Sequence, residues 1–237
     1  MVQTLKPKKV AVTALTGIAS LQYGEVGGQT IHHWCGYMDG RYSATELEDL
    51  LLQSDVFHDA KDNILTTEVL IIDEVGMMSR KMFEVIENVC GAIRKDKRPF
   101  GGIQVIASGD FKQLPPVPNH FQDGDGSFIF QSDRFRRVFP HLITLKEVVR
   151  QTERDLISAI NELCDGCPTE ETHNLMESLR RPLQYGEGQP PPVRIYGTNF
   201  EVEFENFCKM NEMDGEIHLF KAKDSGETNL DLRLSKS

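Results

Sequence analysis

Two short stretches of the sequence place acids and an amide directly after apolar runs. Residues 69–72 (Val-Leu-Ile-Ile) are followed by Asp73 and Glu74, and residues 103–107 are followed by a polar segment that ends in Gln113. An Asp-Glu pair after a buried strand suits nucleoside triphosphate hydrolysis, in which the Asp holds Mg²⁺ and the Glu orients and polarises the attacking water. The alternative is two solvated acids at the end of a strand.

The second stretch predicts a sensor of the γ-phosphate. The Gln113 amide could hydrogen-bond both the γ-phosphate and the attacking water, and Gly109 permits close approach of the backbone. Pro115 and Pro116 fix the direction of the backbone after Gln113, so that a change at the phosphate could be passed to the loop that follows. Two such strand ends together are a more specific signal than either one.

The elements that position these residues read as an α/β domain. Four apolar runs predict strands, at residues 10–13, 69–72, 103–107 and 141–145. Ser43 and Glu46 form a capping box, and Ser79 caps a longer helix whose apolar positions share one face. Because strands alternate with helices, we expect a mainly parallel sheet with its ligand site at the carboxyl ends of the strands.

The pattern of predicted helices and strands changes after residue 150. Helices are predicted at 152–164, 169–180 and 200–210, and short strands at 193–196 and 216–221. We therefore expect two domains, 1–150 and 151–237.

Composition suits a globular protein of a reducing compartment. The chain has 237 residues, 39% of them hydrophobic, and five scattered cysteines, and no segment has the roughly 20 apolar residues that span a bilayer. The first nine residues lack the apolar core of a secretory signal. The net charge of −10 argues only weakly against nucleic acid, because a motor can bind a strand in one cleft. Basic clusters at 6–9, 94–98 and 134–137 could either bind a DNA strand or form solvated faces and helix ends.

Six segments occur in an order that resembles one family. They are VAVTALTGIAS, TIHHWCG, VLIIDEVGMMS, RPFGGIQVIASGDFKQLPPV, LKEVVRQ and RIYGTN. Together they resemble the Pif-type (petite integration frequency) DNA helicases, superfamily-one motors related to RecD that move five-prime to three-prime on single strands. The resemblance covers nearly the whole chain, and PFGGIQ running into GDFKQLPPV is its most specific part.

The resemblance implies a catalytic role for four residues. Asp73 and Glu74 would be the Walker B pair, with Asp73 holding Mg²⁺ through water, and Gln113 would be the γ-phosphate sensor. Arg150 would reach the triphosphate as an arginine finger that stabilises charge in the transition state. Arg150 could instead form a structural ion pair.

The resemblance also implies contacts to the DNA backbone from six residues: Thr13, Thr16, Gly17, Thr30, His32 and Asn199. Contacts of this kind position a strand without reading its sequence. Thr13 and Thr16 could equally cap a helix that begins at Gly17, and His32 could be a satisfied core histidine. For Trp34 we expect a place in the core rather than a platform for base stacking.

The implied fold is a P-loop NTPase (RecA-like) parallel sheet flanked by helices, an incomplete first motor domain followed by the start of a second. The implied cofactors are ATP and Mg²⁺, and the implied partners are single-stranded and forked DNA. A monomer with no membrane association is expected, in the nucleus, the mitochondrion or both. The implied role is five-prime to three-prime unwinding in genome maintenance, which covers DNA repair, recombination, replication and telomeres.

One element of such a motor is missing from the sequence. A phosphate-binding loop ends in Gly-Lys followed by Ser or Thr, and none of the 19 glycines is followed by Lys. In the family this loop would fall before Met1, and later motifs beyond Ser237, so we expect a fragment whose sheet has an open edge. An inactive paralogue that binds single strands and a transposon-derived remnant are the alternatives. A smaller departure is Gly76, where the family usually has Ser.

Overall fold

The computed structural model describes residues 5, 7–118, 125–183, 186, 192–215 and 218. The chain divides into two compact units, Met1–Glu177 and Ser178–Ser237. A boundary near residue 150 stays a prediction. Within the described ranges, no helix combines the length and the apolar character needed to cross a membrane.

The first unit is built on a parallel sheet of four strands in the order β2-β1-β3-β4. The strands are β1 (Val10–Ala14), β2 (Gln29–Thr30), β3 (Val69–Asp73) and β4 (Gln104–Ala107). Three of the four predicted strands are therefore confirmed. β4 lies at one end of this sheet, and its residues are less buried than those of β3.

Helices flank the sheet, and their ends follow from local hydrogen bonds. The helices of the first unit are α1 (Gly17–Leu21), α2 (Ile31–Cys35), α3 (Ala44–Gln53), α4 (His58–Thr66), α5 (Arg80–Arg94), α6 (Phe135–Val138), α7 (Arg154–Asp165) and most of α8 (Glu170–Ser178). The predicted capping box at the start of α3 is present, because Ser43 accepts from the Glu46 amide and Glu46 accepts from the Ser43 amide. Ser79 caps α5 by accepting from the Met82 amide.

The core lies between these helices and the sheet. The apolar face predicted for α5 is confirmed: Met82, Val85, Ile86, Val89 and Ile93 are all buried. Trp34 is fully buried, as expected, and its indole donates to the Thr67 hydroxyl at 3.3 Å.

The predicted strand at residues 141–145 is wrong. The segment has no regular secondary structure, and Ile143 and Leu145 are 86% and 90% exposed. An apolar run becomes a strand only where a neighbouring strand pairs with its backbone groups, and no described strand runs beside this one.

The second unit contains α9 (Asn199–Glu212), which confirms the helix predicted there. A capping box between Thr198 and Glu201 starts it. The predicted strand at 193–196 is wrong for the same reason as that at 141–145, since Val193 and Ile195 are more than nine-tenths exposed and unpaired with any described strand. The strand predicted at 216–221 lies outside the described residues except at position 218, so it stays a prediction.

Most of the basic side chains in the clusters that could contact a DNA strand are bonded to other groups of the protein. Arg134 and Arg137 both pair with the buried carboxylate of Glu87, at 2.6 and 3.1 Å. Arg98 pairs with Asp96, two residues away. These contacts favour the interpretation of the clusters as helix ends and solvated faces.

Arg94 holds the turn at Pro99–Gly102, the segment that carries the PFGG motif. Its guanidinium donates to the carbonyls of Gly101, Ile64, Leu65 and Thr67 at 2.7 to 3.1 Å. The turn needs this support because Phe100 has a φ of 51° and Gly101 a φ of 61°. A Cβ on Gly101 would lie 2.4 Å from the Cys90 carbonyl, so glycine alone fits there.

We expect Arg94→Ala to lower the free energy of unfolding by about 3 kcal/mol, because it leaves several carbonyls without their charged donor. Urea unfolding followed by circular dichroism measures the change. Arg98→Ala is the matched control, because the Arg98 side chain is 74% exposed and such surface pairs contribute about 1 kcal/mol or less. Equal loss in the two variants would contradict this role for Arg94.

Candidate functional site

The carboxyl ends of β3 and β4 bring the predicted acids and the predicted sensor segment side by side. The Ser108 amide donates to the Ile72 carbonyl, and the Val75 amide donates to the Ser108 carbonyl, each at 2.9 Å. The segment after β3 is therefore joined by backbone hydrogen bonds to the segment after β4. This is the edge where an open parallel sheet binds its ligands.

Asp73 is held from two sides. The Tyr23 hydroxyl donates to one carboxylate oxygen, and the Ser108 hydroxyl donates to the other at 2.5 Å. Partial burial acts to raise the pKa of Asp73, but the hydrogen bonds from Ser108 and Tyr23 outweigh it and the pKa is lowered. The same hydrogen bond to Asp73, with burial, raises the pKa of Tyr23 to about 12. Asp73 is thus an oriented, ionised carboxylate, which is what a site for Mg²⁺ or its water shell requires.

Glu74 adopts a strained backbone conformation. Its φ of 57° and ψ of 36° lie in the left-handed region, which residues other than Gly, Asn and Asp rarely adopt. Such strain costs about 1 kcal/mol or more and persists where the surroundings enforce it. This left-handed conformation ends the extended backbone of β3 at Asp73. The half-buried side chain of Glu74 lies in the wall of a cleft.

That cleft has a volume of about 270 Å³. Glu74 and Gln113 both line it, and so does Thr16 from the segment after β1. The Gln113 side chain is positioned by Asp110, whose carboxylate accepts from the Gln113 amide nitrogen at 3.2 Å. Three predicted site residues therefore share one cavity at the carboxyl edge.

Gly76 and Gly109 let the two segments touch through backbone alone. A Cβ on Gly76 would lie 2.5 Å from the Asp110 carbonyl oxygen, and a Cβ on Gly109 would lie 2.8 Å from the Val75 amide nitrogen. The glycine at position 76 thus allows the Gln113 segment to lie against the Glu74 turn.

The residues after β1 that are predicted to contact DNA differ in their solvent exposure. Thr16 caps α1 by accepting from the Ala19 amide, and Gly17 is the first residue of that helix and is exposed. Thr13 is fully buried, and its hydroxyl donates to the Ile71 carbonyl at 2.8 Å. Thr13 therefore does not cap α1, and its side chain has no surface to offer a ligand.

Thr30 and His32 lie at the start of α2. Thr30 caps the helix by accepting from the His33 amide. His32 is half-buried beside Tyr37, with ring centroids 5.8 Å apart, and burial lowers its pKa. A neutral histidine in this place fits either a core residue or an uncharged contact to a strand. The DNA roles of both residues stay predictions.

Arg150 does not line the cleft, and Asn199 belongs to the second unit. Arg150 is exposed within an irregular segment, and no carboxylate among the described residues pairs with it, so the alternative of a structural ion pair is not found there. Asn199 is the first residue of α9 in the second unit, directly after the cap Thr198. The roles of both remain proposals.

Sequence reasoning missed Tyr23 and Ser108. Tyr23 is 50 positions from Asp73 in the chain and lies in an irregular segment, so no periodicity or motif points to it. Ser108 belongs to the sensor segment, but its bond to Asp73 depends on the register of β3 against β4.

A RecA-like parallel sheet with an ionised aspartate, a neighbouring glutamate and a glutamine at its carboxyl edge defines the class of nucleotide-dependent motors. The family model described as PIF1-like helicase matches residues 1–166, and the chain belongs to this family. It is 33% identical over 219 residues to the ATP-dependent DNA helicase RRM3 of Saccharomyces cerevisiae, which covers 92% of this chain and 29% of the relative. It is 31% identical over 223 residues to the human ATP-dependent DNA helicase PIF1, covering 94% of this chain and 33% of the relative.

Solved structures agree with this membership. The Pif1 helicase from Candida albicans superposes with a TM-score of 0.80 at 34% identity, covering 95% of this chain and 49% of that one. The Bacteroides Pif1 helicase in complex with ADP-AlF3 and single-stranded DNA gives 0.75 at 28% identity, covering 89% and 49%. The chain thus spans about a third or less of the length of these curated relatives and about half of these solved chains.

Proposed function

We propose that this chain is part of an ATP-dependent DNA helicase motor that unwinds DNA five-prime to three-prime in genome maintenance. The observation that carries the proposal is the shared cleft at the carboxyl edge, lined by Glu74 and Gln113 beside the ionised Asp73. Relatives named ATP-dependent DNA helicases support the activity.

The residues of this edge fit a magnesium nucleotide. Asp73 offers a carboxylate whose ionised form is stabilised by two hydroxyl donors, as a hard cation or its water shell requires. When bound, the magnesium nucleotide would supply the phosphoanhydride bond and the charge that its hydrolysis redistributes.

The chain's own residues then divide the work. Glu74 would accept a proton from the attacking water, since a carboxylate at the wall of the cleft is the available base. Gln113 would hydrogen-bond the terminal phosphate and that water, with its amide oriented by Asp110. Arg150 would add a positive charge from outside the cleft, and its lack of a described ionic partner leaves it free to do so.

A single DNA strand is the proposed partner. Thr16, Gly17, Thr30, His32 and, in the second unit, Asn199 would contact its backbone. The Bacteroides relative has been solved with single-stranded DNA, and a related structure concerns unwinding at forked duplexes by two coordinating Pif1 helicases. We propose single-stranded and forked DNA as ligands of a monomeric motor, acting in the nucleus, the mitochondrion or both.

The test is ATP hydrolysis by a form of the protein that carries a Gly-Lys-Ser/Thr phosphate loop together with this chain. We expect hydrolysis that rises when an oligo-dT strand is added, because the proposed DNA contact Thr16 lines the same cleft as the proposed base Glu74. Residues 1–237 alone should show no hydrolysis above buffer, since none of their glycines is followed by Lys. Strand binding without hydrolysis in the longer form would favour the inactive paralogue instead. Clear hydrolysis by residues 1–237 would mean that the phosphate site is misplaced.

A further inference from the structure

The Asp73 carboxylate receives its two hydroxyl donors from opposite sides of β3. Ser108 follows β4, whereas Tyr23 follows α1, whose N-cap Thr16 and first residue Gly17 are proposed contacts to DNA. Tyr23 therefore spans from the segment proposed to touch DNA to the acid proposed to serve the nucleotide. The roles assigned so far use this tyrosine only as a hydroxyl donor to Asp73 and give it no part in binding DNA.

The path from Thr16 to Tyr23 is a continuous set of local hydrogen bonds. The Ser20 amide donates to the Thr16 carbonyl at 3.1 Å, and the Ser20 hydroxyl donates to the Gly17 carbonyl at 2.7 Å. The Tyr23 amide in turn donates to the Ser20 carbonyl at 3.1 Å. Consecutive hydrogen bonds therefore connect the start of α1 to Tyr23.

The position of Tyr23 is also fixed from the far side. The Val26 and Gly28 amides both donate to its carbonyl, at 3.0 and 2.9 Å. A Cβ on Gly28 would lie 2.5 Å from the Tyr23 Cβ, so the chain closes over the tyrosine with no side chain between. A backbone hydrogen bond also joins the segment before α1 to the end of β3, because the Leu15 amide donates to the Asp73 carbonyl at 3.3 Å.

We infer that Tyr23 is a positioning residue that couples strand binding at α1 to the orientation of Asp73. The inference rests on the proposed function, since it assigns a link between its two sites. A strand that shifts α1 changes the hydroxyl contact on Asp73, and by linkage a nucleotide that needs Asp73 in one orientation changes the affinity for the strand. The coupling is therefore measurable through binding alone.

The experiment compares the affinity for fluorescein-labelled oligo-dT with and without a non-hydrolysable ATP analogue and Mg²⁺, using the form of the protein that carries the phosphate loop. The ratio of the two affinities is the coupling. Tyr23→Phe keeps the aromatic ring and removes only the hydroxyl, and it should bring the ratio about tenfold closer to one. Circular dichroism checks that the variant is folded.

Two controls separate coupling from simple damage. Tyr42→Phe removes the hydroxyl of another half-buried tyrosine, one that packs edge-on against Phe57 and not at Asp73, and should leave the ratio unchanged. Ser108→Ala removes the other donor to Asp73 without touching α1, and should change the ratio less than Tyr23→Phe does.

An unchanged ratio in Tyr23→Phe would overturn the inference and leave the proposed function standing. Equal loss in Tyr23→Phe and Ser108→Ala would overturn it too, because Asp73 orientation alone would then explain the effect. Failure of the unsubstituted protein to bind oligo-dT under any condition would overturn the proposed function and the inference together.

Discussion

Glu74→Gln is expected to reduce DNA-stimulated ATP hydrolysis by about 10²- to 10⁴-fold, the range that a positioned general base contributes. The glutamine side chain has the size of the glutamate it replaces, so the cleft at the carboxyl edge keeps its shape, but an amide cannot take a proton from water. Release of phosphate, measured at saturating ATP with and without oligo-dT, gives the effect. Strand affinity should stay near that of the unsubstituted protein.

The matched control is Glu48→Gln on α3. It removes the same charge from an acid that does not line the cleft and for which no ion pair is found among the described residues. Its hydrolysis rate should match that of the unsubstituted protein. Retained turnover in Glu74→Gln would remove the assignment of Glu74 as the base and would shift attention to Asp110, which lines the same cleft.

Arg150→Ala is expected to lower the rate of hydrolysis by about a thousandfold or more, the effect typical of a residue that neutralises transition-state charge on a phosphoryl group. The KM for ATP should change far less than kcat, because the interaction is made mainly in the transition state. Arg150→Lys should recover little, since an ammonium lacks the planar fork of donors. Steady-state kinetics on the three proteins measures both quantities.

Arg136→Ala on α6 is the control for Arg150. Arg136 is likewise exposed, and no carboxylate among the described residues pairs with it, so its removal costs the same charge. A KM effect without a kcat effect in Arg150→Ala would contradict the role of an arginine finger and would indicate ground-state binding. Equal effects of the two substitutions would indicate a contribution of net charge only.

Local sequence signals were sufficient for the parts of the fold that depend on neighbours in the chain. The capping box of Ser43 and Glu46 and the cap at Ser79 set helix starts through contacts three residues apart, which are visible in the sequence. The acid pair was likewise placed correctly at a strand end, because a strand of apolar residues followed by two acids leaves few other arrangements.

Features that depend on distant segments could not be found this way. The apolar run at 141–145 looked like a strand, yet strand formation requires a partner that the sequence does not specify. The contact of Tyr23 with Asp73 and the left-handed backbone of Glu74 both arise from packing of separate loops. Arg150 lies in an irregular segment and does not line the cleft, and Asn199 belongs to the other unit, so the roles of both stay proposals.

The burial of Trp34 has a practical consequence. It is the single tryptophan of the chain, it has no exposed surface, and its indole is bonded within the first unit. Its fluorescence emission therefore reports the solvent exposure of that unit alone, whereas the residues from Ser178 onward contribute no tryptophan signal. Emission would follow the first unit and circular dichroism the whole chain, so denaturation midpoints that differ between the two signals would reveal independent unfolding of the units without any added label.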